Sequence, residues 1–126
     1  MGKRYLIDSN TLIEYTGKLL PVSGHDVVTA IINDQFNISF INKIEVLGYA
    51  GANDKLREFI NSANIFSISD GVLEKTIELR KNLKIKIPDA IIAATALTND
   101  LILVTRNTDD FRNMTGLEVM NPWDIS

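Results

Sequence analysis

The chain of 126 residues has 45% hydrophobic and 23% charged residues, a size and composition typical of one globular domain. No apolar run approaches the roughly 18 residues that a membrane-spanning helix needs, so we expect no membrane contact. Thirteen basic and sixteen acidic residues give a net charge of -3, which argues against a broad polyanion-binding surface. The absence of cysteine excludes disulfides and thiolate ligands, and the absence of a signal-peptide pattern at the N-terminus favours a cytoplasmic location.

Short apolar runs of strand length alternate along the chain with longer segments whose apolar residues recur at helical spacing. This alternation predicts a single three-layer α/β/α domain over residues 1–126, with a central parallel sheet of five strands and helices on both faces. The predicted strands cover residues 4–7, 37–41, 65–68, 101–105 and 117–120, and the predicted helices cover about 9–16, 25–33, 42–49, 54–63, 69–83 and 88–97.

Acidic side chains occur at corresponding places after these strands. Asp8 ends the first apolar run, Glu45 is predicted in the first turn of the helix after the second strand, and residues 107–110 form a turn after the fourth. Asp89 opens a helix that is apolar on nearly every side. Because ligands gather beyond the carboxyl ends of the strands in open α/β sheets, we expect these acids to meet at one edge.

Each acid also has an ordinary structural explanation. Asp8 can cap the following helix, and Asp89, next to Pro88, suits the positive end of a helix dipole. Glu45 alone is typical of an exposed helical residue. The joint pattern is less easily explained in this way, since the acids are placed alike rather than scattered.

Grouped carboxylates are the ligands that Mg²⁺ and Mn²⁺ prefer, and without a cation they would raise each other's pKa. One or two bound ions would remove that penalty, polarise a phosphodiester and lower the pKa of a bound water. Hydrolytic phosphodiester cleavage of this kind requires no Ser, Cys or His nucleophile. The only histidine, His25, follows a loop glycine and gives little support for a Ser-His-Asp triad.

A basic patch precedes the Asp89 segment, with four cations within seven residues: Arg80, Lys81, Lys84 and Lys86. Most such runs are solvated faces, and cations also suit the C-terminal end of a helix. In an acidic chain any nucleic-acid contact must be local. This patch and Arg106 are the candidates for that contact.

Four motifs in this order closely resemble the PIN-domain family, and within it VapC toxins: LIDSNTLI at 6–13, IEVL at 44–47, PDAIIAATA at 88–96 and VTRNTDDF at 104–111. Together they are specific, and the likeness spans the whole chain. The resemblance implies a metal-dependent endoribonuclease that uses one or two Mg²⁺ or Mn²⁺ ions to cleave RNA. It also implies a toxin–antitoxin operon, inhibition by a VapB-type antitoxin, and a homodimer.

The resemblance further assigns roles to individual residues. The family's first three acids correspond to Asp8, Glu45 and Asp89. The fourth lies in the Asn-x-x-Asp-Phe turn and corresponds best to Asp110, with Asp109 the weaker choice. The supporting polar residues are Ser9, Asn10 and Asn107.

Other functions fit the sequence less well. A haloacid-dehalogenase-like phosphatase would need a second acid at position 10, where this chain has Asn10. A response-regulator receiver would need paired acids after the first strand. A non-catalytic PIN-like RNA-binding module is disfavoured because all four acidic positions are filled. Asn42 departs from the family pattern, since many relatives have Ser or Thr there, and its role stays open.

Overall fold

The computed structural model describes residues 2–125, in which helices connect five short strands. Within that range no helix is both long enough and apolar enough to cross a bilayer. The strands are β1 (Tyr5–Ile7), β2 (Asn37–Ser39), β3 (Asn64–Phe66), β4 (Ile102–Val104) and β5 (Val119–Met120). The helices are α1 (Ser9–Thr16), α2 (Val22–Asp34), α3 (Phe40–Leu47), α4 (Asp54–Asn61), α5 (Asp70–Asn82), α6 (Ile87–Thr98) and α7 (Thr108–Phe111), followed by a short 3-10 helix at Pro122–Asp124.

The five strands are parallel but form two separate sheets in the described part of the chain. The main sheet has the order β1-β4-β5, and β2 pairs with β3 in a second sheet. The predicted α/β class with parallel strands and flanking helices is therefore confirmed. The predicted single sheet of five strands is wrong, because the main sheet contains three strands.

A buried asparagine joins the two sheets where β1 lies beside β2. The Nδ2 of Asn37 donates to the carbonyl oxygen of Tyr5 at 3.0 Å and to Oε1 of Gln35 at 3.0 Å. Its Oδ1 accepts from Nδ2 of Asn64 at 3.2 Å. Buried polar groups at this boundary are thus paired by side chains. That pairing explains how the boundary is stable without a continuous backbone ladder.

Hydrophobic cores cover both faces of the main sheet, because successive strand residues face opposite sides. Leu6 and Leu103 belong to the core that contains α5 and α6. Ile7 and Val104 belong to the core that contains residues of α1 to α4. This arrangement gives the three layers that the alternating pattern predicted.

Helix α6 is buried at every position from Ala90 to Ala96, as its uniformly apolar sequence predicted, and it packs along α5. The one polar side chain in that stretch, Thr95, donates from Oγ1 to the carbonyl oxygen of Ile91 at 2.7 Å. The buried helix fixes the position of Asp89 in its first turn.

Helix α3 begins at Phe40, two residues earlier than predicted. The Oγ of Ser39 accepts from the N–H of Ile41 at 3.1 Å, and the N–H of Ser39 donates to Oδ1 of Asn42 at 2.9 Å, which makes a capping box. Glu45 therefore lies in the second turn rather than the first. The prediction was wrong because Ser39 lies inside an apolar run that resembled a longer strand.

Candidate functional site

Asp8 lies between β1 and α1, and only 6% of it is exposed. Its Oδ1 accepts from the N–H of Ser9 at 2.9 Å and from Nδ2 of Asn42 at 3.2 Å. Its Oδ2 accepts from Oγ1 of Thr105 at 2.7 Å. Asp8 is indeed the N-cap of α1, but donors from two other elements hold the same carboxylate, so capping does not account for the whole arrangement.

Burial raises the pKa of the Asp8 carboxyl above its ordinary value and is the largest influence on it. The hydrogen bonds from Thr105 and Ser9 favour the ionised form and oppose that rise in pKa. The negative charges of Glu45 and Asp89 raise the pKa of Asp8 further. These three acids therefore share one electrostatic neighbourhood, which is the arrangement that their positions after the strands predicted.

Ser9 connects Asp8 to Glu45, which is exposed on α3. The Ser9 Oγ donates to Oε1 of Glu45 at 2.6 Å and accepts from Nδ2 of Asn42 at 3.0 Å. Ser9 thus contacts Asp8 through its backbone and Glu45 through its side chain. Its hydroxyl orients the second acid relative to the first.

Asn42, whose role the sequence left open, is fully buried between these groups. Its Oδ1 accepts from the N–H of Ser39, the N-cap of α3, while its Nδ2 donates both to Asp8 and to the Ser9 hydroxyl. An amide can accept on one side and donate twice on the other, which a hydroxyl cannot do. Asn42 therefore connects the start of α3 to the acidic edge of the main sheet.

Asp89 lies half-buried in the first turn of α6. The N-cap of that helix is Lys86, which makes no side-chain capping bond. Burial raises the pKa of Asp89, and the negative charges of Asp110 and Glu45 raise it further, whereas the charge of Lys86 lowers it. Asp89 is thus coupled by charge to two other acids of the group, and Lys86, not Asp89, occupies the N-cap position of α6.

Asp110 lies on α7, a single helical turn where the sequence predicted only a turn. Its charge acts on Asp89, whereas the neighbouring Asp109 forms an ion pair with Arg112. This difference favours Asp110 as the fourth acid. Asn107 contacts the site through its backbone N–H, which donates to Oγ1 of Thr105 at 3.1 Å.

Thr105 is the site residue that sequence reasoning missed. It is fully buried and follows β4 directly. Because Ile7 pairs with Val104 in the parallel ladder, the next residues on the two strands, Asp8 and Thr105, come side by side. The sequence shows only that a polar residue follows a buried strand, and the pairing of β1 with β4 is what places Thr105 opposite Asp8.

Asn10 supports the segment that follows β4. Its Nδ2 donates to Oγ1 of Thr105 at 3.5 Å, and its Oδ1 accepts from Oγ1 of Thr11 at 3.2 Å and from the N–H of Arg106 at 3.5 Å. The two contacts with the β4 segment are at the long limit of a hydrogen bond. Asn10 thus acts on Asp8 indirectly, through Thr105.

The basic patch adjoins the acidic edge through two of its lysines. The charge of Lys86 acts on Asp89, and Lys84 lines a small cavity together with Asp110. The other two cations, Arg80 and Lys81, lie in the last turn of α5. Arg80 also makes a structural hydrogen bond, since its Nη1 donates to the carbonyl oxygen of Ile85 at 2.6 Å.

The acids of the edge do not form a preformed set of metal ligands. Across residues 2–125, no three acidic or histidine side chains lie close enough together to coordinate one ion. The donors are nevertheless all of the carboxylate type that hard divalent cations prefer. Neighbouring negative charges raise the pKa of both Asp8 and Asp89, a penalty that a cation would relieve. The chemistry of the donor set therefore fits a hard divalent cation.

The fold and its acidic edge define an α/β domain with carboxylates beyond the strands of a parallel sheet. The sequence pattern of the PIN domain matches residues 5–117, and the chain belongs to the PIN-domain family. Comparison with curated proteins gave no match.

Solved structures with the same fold include chains of toxin–antitoxin complexes. A chain of a toxin–antitoxin complex from Klebsiella pneumoniae is 34% identical, with a TM-score of 0.72 over 96% of this chain and 99% of that one. VapBC2 from Rickettsia felis, bound to a DNA fragment from its promoter, gives 22% identity and a TM-score of 0.75 over 93% of this chain and 97% of that one. FitAcB from Neisseria gonorrhoeae gives 24% identity and a TM-score of 0.72 over 95% of this chain and 99% of that one.

Proposed function

We propose that this chain is an endoribonuclease that depends on Mg²⁺ or Mn²⁺ and acts as the VapC-type toxin of a toxin–antitoxin pair. The supporting observation is the acidic edge, where Ser9 and Asn42 connect Asp8 to Glu45 by hydrogen bonds and the charges of Glu45 and Asp110 act on Asp89. In a PIN-domain chain, such an edge suits hydrolysis of RNA phosphodiesters.

In this proposal the four acids would hold one or two ions, and such ions would supply polarisation of the phosphodiester and a lowered pKa of a water molecule. The chain's own contribution is to orient these acids. Thr105, Asn42 and the N–H of Ser9 donate to Asp8, which leaves its carboxylate fixed in one orientation. The Ser9 hydroxyl orients Glu45 in the same way.

We also propose that a VapB-type antitoxin binds and inhibits the chain, that the chain forms a homodimer, and that it acts on RNA in the cytoplasm. The antitoxin proposal is supported by the similarity to a chain of the toxin–antitoxin complex from Klebsiella pneumoniae, which is 34% identical. The other two proposals follow from the resemblance to VapC toxins.

The proposed activity is tested by sequencing cellular RNA ends after a brief pulse of expression. We expect the wild type to generate new RNA ends and arrest growth, and Asp8→Asn to reduce cleavage by roughly a thousandfold, as expected when a charge-stabilising group is lost from an active site. The matched control is Asp26→Asn, which makes the same change at an exposed position on α2.

Unchanged RNA ends in Asp8→Asn would contradict the proposed site. A wild type that binds RNA without producing new ends would instead favour the non-catalytic alternative. Co-expression of the neighbouring antitoxin gene should suppress the new ends, and its failure to do so would contradict the antitoxin pairing.

A further inference from the structure

Three side chains form a cluster beside the acidic edge, at the point where the chain leaves β4: Glu14, Arg106 and Trp123. The Nη1 of Arg106 pairs with Oε2 of Glu14 at 2.9 Å, and Nε1 of Trp123 donates to Oε1 of Glu14 at 3.0 Å. The Cζ of Arg106 lies 4.4 Å from the centroid of the Trp123 ring. One carboxylate therefore holds both the guanidinium and the indole against which that guanidinium is stacked.

The cluster orients Arg106 without burying it. The Arg106 side chain is 55% exposed, whereas the Glu14 side chain is only 12% exposed. Such a partly exposed ion pair contributes little to folding. The guanidinium lies over the Trp123 ring, and a single side-chain hydrogen bond uses only one of its five N–H donors among residues 2–125. The remaining donors are available to a ligand from solvent.

Arg106 is connected to Asp8 by a short chain of contacts. Its N–H donates to Oδ1 of Asn10, Asn10 contacts Thr105, and Thr105 donates to Asp8. Lys84 and Lys86 adjoin the other acids of the edge. Cations are therefore placed beside both ends of this group of acids.

A polyanion that approaches four carboxylates meets repulsion, which a nearby cation can offset. A guanidinium matches two oxygens of a phosphate with two parallel N–H donors, which an ammonium cannot do. Prior orientation by Glu14 and Trp123 also reduces the side-chain entropy lost on binding. The geometry therefore suits a backbone phosphate of a nucleic-acid strand that enters the acidic edge.

We propose that Arg106 binds a backbone phosphate of the RNA substrate next to the site of cleavage, and that Glu14 and Trp123 are positioning residues that hold its guanidinium for that contact. This inference rests on the proposed ribonuclease function. It adds a contact that aligns the strand and is separate from the acids.

The test measures RNA binding by the full chain carrying Asp8→Asn, so that the RNA stays intact. The probe is bulk tRNA, and dissociation constants are measured over a series of salt concentrations. We expect Arg106→Gln to weaken binding about tenfold at low salt, as loss of one hydrogen bond to a charged group would. The slope of log affinity against log salt should also become shallower by about 0.7–0.9, the range for one phosphate contact on a single or a double strand.

Trp123 supplies a second readout because it is the only tryptophan in the chain. Occupation of Arg106 by a phosphate should change the Trp123 emission when RNA is added, and this change should disappear in Arg106→Gln. A purely structural role for Arg106 predicts neither the altered salt slope nor the RNA-dependent emission change.

The control is Arg4→Gln, which removes the same charge from the opposite end of β1 and should leave RNA affinity unchanged. Binding and salt slope unaffected by Arg106→Gln would overturn the proposed contact. An Arg106→Gln variant that loses antitoxin binding but keeps RNA binding would also overturn it. Arg106 would then contact the carboxylates of an acidic protein segment instead of an RNA phosphate. Failure of the Asp8→Asn chain to bind RNA at any salt concentration, together with a wild type that does not cleave RNA, would instead overturn the proposed function.

Discussion

The two halves of the acidic edge are held in different ways. Asp8 is nearly buried, and hydrogen bonds from Ser9, Asn42 and Thr105 fix both of its oxygens. Asp89 and Asp110 lie on separate helices, and across residues 2–125 their side chains act on each other through charge rather than through shared hydrogen bonds. Hydrogen bonds orient the carboxylate of the first half, whereas within residues 2–125 no side-chain hydrogen bond orients the carboxylates of Asp89 and Asp110.

This difference indicates a division of roles under the proposed function. A carboxylate fixed by donors from three elements can orient a ligand before that ligand binds. Asp89 and Asp110 repel each other, and a bound cation would relieve that repulsion. Changes on the two halves should therefore have separable effects.

After the loss expected for Asp8→Asn, the next largest effect on cleavage is expected from the half that contains Asp89 and Asp110. Asp110→Asn should reduce RNA cleavage about a hundredfold, because it removes a charge that would stabilise the bound cation. Asp109→Asn is the matched control, since Asp109 is already paired with Arg112, and it should change the rate by no more than about twofold. Cleavage rates on one RNA compare the two variants. Equal losses, or a larger loss in Asp109→Asn, would reverse the assignment.

A smaller effect is expected from the ordered half. Thr105→Val keeps the side-chain volume but removes the donor to Asp8, so Mn²⁺ should bind roughly tenfold more weakly, as for other residues that orient metal ligands. The free energy of unfolding should fall by about 1–2 kcal/mol. Titration calorimetry and urea unfolding measure the two quantities.

The control for Thr105→Val is Thr76→Val, which removes a buried hydroxyl on α5 that donates to the carbonyl oxygen of Val72 at 2.7 Å. It should lower stability to a similar extent without changing Mn²⁺ affinity. If both variants bind Mn²⁺ equally well, Thr105 does not orient the site.

The smallest effect is a pH dependence of the metal-free chain. Because burial raises the folded-state pKa of Asp8, Asp8 contributes stability that is fully present below its unfolded pKa of about 3.9 and is lost as pH rises through the folded-state value. In chelator, the free energy of unfolding of the wild type should therefore fall relative to that of Asp8→Asn as the pH is raised from acidic to neutral.

Urea titrations of both proteins at several pH values test this prediction. Saturating Mg²⁺ should reverse the trend by favouring the ionised carboxylate of the wild type. If the difference in free energy of unfolding between the two proteins stays constant with pH in chelator, burial does not raise the pKa of Asp8.

The sequence was sufficient to predict the features that depend on local pattern. Apolar runs and helical spacing predicted the parallel α/β class, and the uniformly apolar segment after Asp89 predicted a buried helix. The positions of Asp8 and Glu45 after apolar segments, and of Asp89 at the start of one, predicted that these acids would share one edge. In the structure the charges of Glu45 and Asp89 both act on Asp8, and the Ser9 hydroxyl bonds to Glu45.

The features that depend on pairing between distant segments were not predicted. Thr105 contacts Asp8 only because β1 and β4 pair in one particular register, and a single sequence does not give that register. The five strands divide into two sheets, and the buried side chain of Asn37, which lies inside an ordinary strand pattern, bonds to Tyr5 across the boundary between them. The start of α3 was misplaced because its cap belongs to the same apolar run as β2.

The Asn37 boundary also has a consequence for cooperativity. Asp8 and Thr105 belong to the main sheet, whereas Asn42 and Glu45 follow the second sheet, so the acidic edge spans the junction between them. One hydrophobic core contains Ile7 and Val104 of the main sheet and Ile38 of the second sheet. Separation of the sheets would carry Glu45 and Asn42 away from Asp8, so assembly of the acidic edge is coupled to the packing of one sheet beside the other.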